Sequence, residues 1–138
     1  MKYTIDVPLE RDGLWLDSNL TYAQVPGWLG KATRNLKLSV IRHFATQTSK
    51  KFPVIFWFTG GGWMDTDHNI YLPNLVDFAR KGFIVVSVEY RDSNKVHFPG
   101  QLEDAKAAIR YLRAHAEKFQ ADPKKFVAMG ESAGGHLA

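Results

Sequence analysis

Three short runs of the sequence are apolar at nearly every position, and they constrain the fold more than any other feature. They are PVIFWF at 53–58, FIVVSV at 83–88 and FVAM at 126–129. Strands that alternate between apolar and polar residues have one solvated face, whereas continuous apolar runs of this length are typical of strands covered on both faces. The runs therefore predict the central strands of a parallel sheet.

Two helical patterns lie between these runs. Leu102, Ile109, Leu112 and Phe119 recur at helical spacing within 102–119, opposite a face with Lys106, Arg110 and Arg113. A shorter helix is predicted over 72–81, with Pro73 in its first turn and Gly82 at its end. Strands that alternate with helices need crossover connections. We therefore expect an α/β fold, a mostly parallel sheet with helices on both faces.

The first fifty residues indicate β structure of a different kind. Tyr3, Ile5 and Val7 alternate, and so do Leu36, Leu38 and Val40, which come before Ile41 to Phe44. The stretch 25–35 is rich in turn formers, and Asp122-Pro123 predicts a turn before the third apolar run. Residues 1–138 contain no repeat and no linker, so they are expected to be part of a single domain.

Composition excludes several functional classes. The net charge is +4 and the pI about 9.4, but basic residues are scattered among 14 acidic ones, so no nucleic-acid partner is expected. The absence of cysteine excludes disulfides and thiolate chemistry and fits a cytoplasmic protein. The charged N-terminus lacks a signal-peptide core, and no stretch is long enough for a membrane span. A homo-oligomer is left open.

The segment Gly130-Glu131-Ser132-Ala133-Gly134 matches the pattern G-x-S-x-G. It follows an apolar strand directly and precedes AGGHLA, which can begin a helix, so the pattern has the strand, sharp turn and helix that a nucleophile elbow requires. Glycines flank the serine because so tight a turn leaves no room for larger side chains. An ordinary glycine-rich turn is the alternative interpretation.

A second glycine-rich segment, Thr59-Gly60-Gly61-Gly62-Trp63, follows the first apolar strand. Parallel strands deliver their following loops to one edge of the sheet, so we expect this segment beside Ser132. Consecutive glycines let backbone N–H groups approach an oxyanion. A dinucleotide fingerprint would need glycine where Asp65 stands, and that motif is therefore excluded.

The segments FTGGGW, EYR, FPGQLEDAKAAIRYLRAHAEKF and ADPKKFVAMGESAGGHLA together resemble the esterase and lipase branch of the α/β-hydrolases, which includes hormone-sensitive-lipase-like and carbohydrate acetyl or feruloyl esterases. The resemblance extends from about residue 20 to the last residue. It implies Ser132 as nucleophile and backbone N–H groups of Gly61, Gly62 and Ala133 as oxyanion hole. Trp63 could replace one loop donor. The branch usually has histidine where Thr59 stands here, which leaves the anchoring of the loop open.

In such a family a histidine and an acid that activate the serine follow it in the chain. None of the five histidines matches that position, and we expect His136, four residues beyond Ser132, to be structural and to point along its helix. Losing the base of a serine hydrolase removes about four to six orders of magnitude of rate. The 138 residues are therefore expected to be the nearly inactive N-terminal half of a longer hydrolase, truncated after the elbow, with 126–129 as an exposed sheet edge.

The resulting hypothesis is a serine carboxylesterase that acts on small acetyl-type esters through an acyl-enzyme on Ser132, without cofactor or metal. The alternatives are a serine peptidase of the same fold and an inactive scaffold that binds a partner. His68 with Asp65 and Asp67 lacks the spacing of a metal site.

Two further sets of residues carry predictions. Arg91 and Asp104 occupy recurrent family positions and are expected to pair, the alternative being two independent surface charges. Four aromatic residues could shape a substrate pocket but are more often core: Trp57, Phe58, Trp63 and Tyr71.

Overall fold

The computed structural model describes residues 3–5, 13–27, 30–44, 49–64 and 67–138. Its elements follow one another in the order β1 (Leu14–Pro26), β2 (Thr33–His43), β3 (Phe52–Phe58), α1 (Leu72–Arg80), β4 (Ile84–Val88), α2 (Gly100–Ala114), α3 (Ala116–Phe119), β5 (Ala121–Gly130) and α4 (Ala133–Leu137).

The five strands form one mixed sheet in the order β1-β2-β4-β3-β5. The three strands predicted from apolar runs are parallel neighbours, since β3 pairs with both β4 and β5. β1 and β2 extend this parallel unit with antiparallel pairings. Phe58 pairs with both Val88 and Gly130, so the segments that follow β3, β4 and β5 emerge side by side at one edge of the sheet.

Helices cover both faces of the sheet, as predicted. Val86 of β4 and Phe56 of β3 lie in the larger core cluster with Leu112 and Phe119 of α2 and α3. Val85, which points to the other face because side chains alternate along a strand, packs with Leu75 of α1. The prediction that apolar runs are covered on both sides is thereby confirmed for β4, all of whose residues are buried.

The N-terminal prediction was wrong in its position. Tyr3 and Ile5 belong to no strand and are 85% and 83% exposed, while Val7 lies outside the described residues. The first strand is instead β1, whose pairing with β2 shifts register twice. Such irregularities break the alternation of apolar and polar residues, which hides a strand from a pattern of period two. The turn predicted over 25–35 is shorter, because β1 continues to Pro26 and β2 begins at Thr33.

Two boundaries in the second half also differ from expectation. The helix predicted over 102–119 is interrupted at His115, whose ring Nδ1 lies 2.8 Å from the carbonyl oxygen of Tyr111. β5 begins at Ala121, before the predicted turn at Asp122-Pro123. Phe52 pairs with Ala121 and Val54 with Phe126, so residues 122–125 form an irregularity within the strand. α1 agrees with its prediction to within one residue.

β5 is an edge strand, as expected for the run at 126–129, but the prediction that this run is covered on both faces was wrong, because Val127 and Ala128 are exposed. It stands last in the sheet order, and Val127 on it is 46% exposed. An apolar strand with an unpaired edge offers backbone groups to another strand. No helix in the described part of the chain is long and apolar enough to cross a membrane.

Candidate active site

Ser132 lies at the apex of the turn between β5 and α4. Its backbone adopts φ 52° and ψ −124°, a conformation that a residue other than glycine rarely takes. The residue is exposed to solvent, whereas the two residues that follow it, Ala133 and Gly134, are buried. The strained turn therefore holds Ser132 at the protein surface, at the edge of the sheet where the parallel strands end.

The glycines on either side of Ser132 are required by contacts between backbones. A Cβ on Gly134 would lie 1.9 Å from the carbonyl oxygen of Phe58, and one on Gly130 would lie 2.4 Å from the backbone of Gly134. The first turn of α4 thus packs directly on the end of β3. This packing explains why the motif has glycine two residues before and two residues after the serine.

The glycine-rich loop follows β3 at the same edge. Gly61, Gly62 and Trp63 all have positive φ, of 151°, 62° and 66°. This conformation turns the chain sharply, and the N–H of Met64 donates to the carbonyl of Gly61. The backbone N–H groups of Gly61, Gly62, Trp63 and Ala133 have no hydrogen-bond partner among the described residues. They are the groups that an oxyanion hole would use.

Side chains and backbone groups from neighbouring segments hold this loop. The hydroxyl of Tyr90 donates to the carbonyl of Thr59 at 2.6 Å, and the N–H of Gly60 donates to the carboxylate of Glu131 at 2.8 Å. At the far end of the loop, the N–H of Ser93 donates to the carbonyl of Trp63 at 2.8 Å. These bonds therefore fix the loop to the segment that follows β4 on one side and to the serine turn on the other.

The predicted ion pair between Arg91 and Asp104 is present. Arg91 Nε lies 2.8 Å and Nη2 2.7 Å from the two carboxylate oxygens, and the backbone N–H of Arg91 also donates to Asp104 at 3.0 Å. The Asp104 side chain is almost fully buried. The hydrogen bond with Asp104 raises the pKa of Arg91. The pair ties the segment after β4 to α2, and the surface-charge alternative is thereby excluded.

A cavity of about 320 Å³ lies between the glycine-rich loop, the N-terminal end of α2 and α4, and its lining residues do not include Ser132. Its walls include Trp63 of the glycine-rich loop, Phe98 of the segment before α2, Gln101 in the first turn of α2, and His136 of α4. His136, which is expected to be structural, packs against Trp63 with its ring nearly perpendicular at a centroid distance of 5.3 Å, and it lines this cavity. The loop reaches over the first turn of α4, which brings Trp63 to His136.

The other aromatic residues belong to the core, as expected. Phe58 is 1% exposed, and Trp57 packs against Tyr71 at a ring distance of 5.7 Å on the α1 face. Of the four aromatic residues considered, Trp63 alone lines the cavity of about 320 Å³.

The histidines are all within the described residues, and none of them hydrogen-bonds to the hydroxyl of Ser132. His68 is buried, with Nε2 3.4 Å from the Ser39 hydroxyl, and burial lowers its pKa. Asp65 lies outside the described residues, and within them no three histidine or acidic side chains form a cluster that could hold a metal ion.

Sequence reasoning missed Tyr90 and Glu131 as residues of the site. Both lie inside segments that the sequence brought to attention, EYR and GESAG, but nothing in the order of residues indicates that they meet at one loop. The sequence signal that could have identified them is their position: Tyr90 follows β4 and Glu131 follows β5. In a parallel sheet, residues at these positions lie beside the end of β3.

Comparison with known proteins finds one family and many relatives. A family model described as BD-FAE matches residues 43–138. The versiconal hemiacetal acetate esterase of Dothistroma septosporum is 41% identical over 90 residues, which are 62% of this chain and 26% of the relative. An AB hydrolase superfamily protein of Schizosaccharomyces pombe is 29% identical over 111 residues, 78% of this chain and 32% of the relative.

Among solved structures, Thermogutta terrifontis esterase 2 phosphorylated by paraoxon superimposes with a TM-score of 0.73 at 30% identity, over 97% of this chain and 49% of the esterase. The chain spans about a quarter to a third of the curated relatives and about half of this solved chain.

Proposed function

Because the chain belongs to the BD-FAE family and has the α/β-hydrolase fold, we propose that the full-length protein is a serine carboxylesterase that acts on short-acyl, acetyl-type esters through an acyl-enzyme on Ser132. The observation that carries the proposal is the exposed Ser132 at φ 52°, joined to the glycine-rich loop through Glu131 and Gly60. Strained, exposed serines beside free backbone N–H groups suit nucleophilic attack on an ester carbonyl.

In this mechanism the hydroxyl oxygen of Ser132 bonds to the carbonyl carbon of the ester as its proton passes to a base. Backbone N–H groups of Gly61, Gly62 and Ala133 would receive the negative charge that develops on the carbonyl oxygen. Collapse of this intermediate breaks the ester C–O bond, and the base returns its proton to the departing oxygen, so that the alcohol leaves and the acyl group stays on Ser132. A water molecule then loses a proton to the base as its oxygen attacks the acyl carbon. The bond between that carbon and the Ser132 oxygen breaks, the base returns the proton to Ser132, and the acyl group leaves as the carboxylic acid.

The base and its acid are proposed to come from outside these 138 residues. The support is that Ser132 has no histidine partner among the described residues, although a serine hydroxyl without a base is a weak nucleophile. Trp63 remains the alternative donor of the loop, since its backbone N–H also has no hydrogen-bond partner in the part of the chain that the structure describes. The similarity to a versiconal hemiacetal acetate esterase supports an acetyl-type substrate.

Covalent labelling of the full-length protein tests this proposal. Paraoxon should add one phosphoryl group, detected by intact mass and mapped by peptide mass spectrometry to Ser132. Ser132→Ala should abolish both labelling and hydrolysis of 4-nitrophenyl acetate, whereas Ser49→Ala, an exposed serine before β3, should change neither. Labelling of another residue, or activity that survives Ser132→Ala, would contradict the assignment.

The same assays separate the two alternatives. A serine peptidase would cleave a peptide substrate as well as an ester, whereas a carboxylesterase would cleave the ester alone. An inactive scaffold would show neither labelling nor turnover in the full-length protein. The similarity to the versiconal hemiacetal acetate esterase and to Thermogutta terrifontis esterase 2 favours ester hydrolysis over both alternatives.

A further inference from the structure

The peptide group between Thr59 and Gly60 is held at both of its polar ends. Its carbonyl oxygen accepts a hydrogen bond of 2.6 Å from the Tyr90 hydroxyl, and its N–H donates a hydrogen bond of 2.8 Å to the Glu131 carboxylate. The two partners belong to different segments, one after β4 and the other at the end of β5. A peptide group held from opposite sides cannot rotate about its neighbouring bonds without losing both bonds.

The residue type at position 59 explains why such a clamp is needed. The Thr59 side chain is buried, and its hydroxyl has no hydrogen-bond partner among the described residues. The side chain that precedes the glycines therefore does not anchor the loop. Anchoring falls to groups that contact the backbone of residues 59 and 60.

The chemistry of the two side chains suits these roles. Burial, and after it the negative charge of Glu131, raises the pKa of the Tyr90 hydroxyl, which keeps it protonated as a donor. A carboxylate accepts hydrogen bonds from backbone N–H groups strongly. The fit is close, since a Cβ on Gly60 would lie 2.5 Å from the Glu131 carboxylate and 2.6 Å from its backbone oxygen.

We infer that Tyr90 and Glu131 are positioning residues that fix the Thr59–Gly60 peptide and thereby aim the N–H groups of Gly61 and Gly62 at the oxyanion. Glu131 is adjacent to Ser132 in the chain, so the clamp sets the loop in register with the nucleophile itself. The inference rests on the proposed function. Displacing a catalytic group by about 1 Å can cost about 10²-fold in rate, so small movements of this peptide matter.

The test compares turnover with the binding of a transition-state analogue in the full-length protein. Tyr90→Phe and Glu131→Ala should each lower kcat about 10-fold and change KM less than about 2-fold, because donors to the oxyanion act in the transition state. The inhibition constant of an alkylboronic acid, which forms a tetrahedral adduct with serine, should rise by about the same 10-fold factor.

Two further variants make the test specific. Glu131→Gln keeps an oxygen that can accept from Gly60 and should recover most of the rate that Glu131→Ala loses. The double variant of Tyr90→Phe with Glu131→Ala should lose less than the product of the single losses, since both act on one peptide group. Glu117→Gln, whose side chain is 96% exposed on α3, is the matched control.

The possible results distinguish failure of the inferred role of Tyr90 and Glu131 from failure of the proposed esterase function. If both single variants keep kcat and the boronic acid constant within about 2-fold of the parent while Ser132→Ala is inactive, the clamp is wrong and the esterase proposal stands. If Glu131→Gln is as impaired as Glu131→Ala, the acceptor role is wrong. If Ser132→Ala retains activity, the proposed function itself fails.

Discussion

The two glycine-rich turns at the edge of the sheet, the serine turn at 130–134 and the loop at 59–63, are held in different ways. In the serine turn the glycines are required because backbone meets backbone, as where α4 contacts the carbonyl of Phe58. In the loop, Gly62 has open space around it and is needed for its φ of 62°, while Tyr90 and Glu131 supply the restraint. A turn that is held by steric fit can be recognised from a short sequence motif, whereas a turn that is held by side chains distant in the sequence cannot.

Gly134→Ala should break the serine turn and have the largest effect. The new Cβ would lie 1.9 Å from the Phe58 oxygen and 2.5 Å from its carbon, and neither backbone atom can move without separating α4 from β3. We expect a loss of about 3 kcal/mol or more in the free energy of unfolding, measured by urea denaturation.

Gly135→Ala is the control for that variant, because it lies next in the same helix and its Cβ would meet the Gly130 oxygen at 3.3 Å. It should change stability by less than about 1 kcal/mol. Equal losses in the two variants would mean that helix propensity, and not the contact with Phe58, explains the glycines.

Arg91→Ala should have the second largest effect, because it removes the ion pair that ties the segment after β4 to α2. It leaves the buried Asp104 carboxylate without its partner, which typically costs about 3 kcal/mol in the free energy of unfolding. The segment that carries Tyr90 and Ser93 would then separate from α2, so esterase activity should fall as well. Arg80→Ala breaks the exposed pair with Asp77 and should cost less than about 0.5 kcal/mol. A comparable loss in both variants would contradict the role of the buried pair.

Comparing Gly60→Ala with Gly62→Ala tests whether the loop is restrained at residue 60 and unrestrained at residue 62. A Cβ on Gly60 would force the Glu131 backbone oxygen, 2.6 Å away, to move, so the loop and the serine turn would lose their register. We expect kcat to fall about 10²-fold. In Gly62→Ala the new Cβ has no described atom within 4 Å and the backbone N–H is kept, so this variant should cost about 1 kcal/mol of stability from its left-handed conformation. Greater loss of kcat in Gly62→Ala would show that the loop is not clamped at residue 60.

The contrast between the turns also explains what could be predicted from the sequence. The three apolar runs identified β3, β4 and β5, and the pattern around Ser132 identified its turn, because both signals are local. Arg91 and Asp104 were paired through family positions. The clamp by Tyr90 and Glu131 depends on β4 and β5 flanking β3, an order of strands that no local pattern contains. β1 was misplaced to Tyr3, Ile5 and Val7 because register shifts interrupt its alternation.

The smallest predicted effect is a pH dependence of stability that arises near the loop and not in the serine turn. His68 follows the loop, is buried beside Ser39, and receives the Ser87 hydroxyl at its carbonyl oxygen. Burial lowers the pKa of His68 below its usual 6.5, which outweighs the opposing charges of Glu89 and Asp67. The unfolded chain therefore binds a proton at a higher pH than the folded protein does.

The stability that comes from burying neutral His68 is therefore fully present above about pH 6.5. It declines as the pH falls toward the lowered pKa of the folded state, by less than about 1.4 kcal/mol per pH unit. Urea denaturation at pH 7.5, 6.5 and 5.5 measures this slope. His68→Gln should flatten it, whereas His115→Gln, an exposed histidine, should leave it unchanged. If His68→Gln keeps the full slope, the buried ring beside the loop is not the group that titrates. The steric fit of the serine turn, which has no ionisable group at its contacts between backbones, gives no reason to expect such a slope from its own packing.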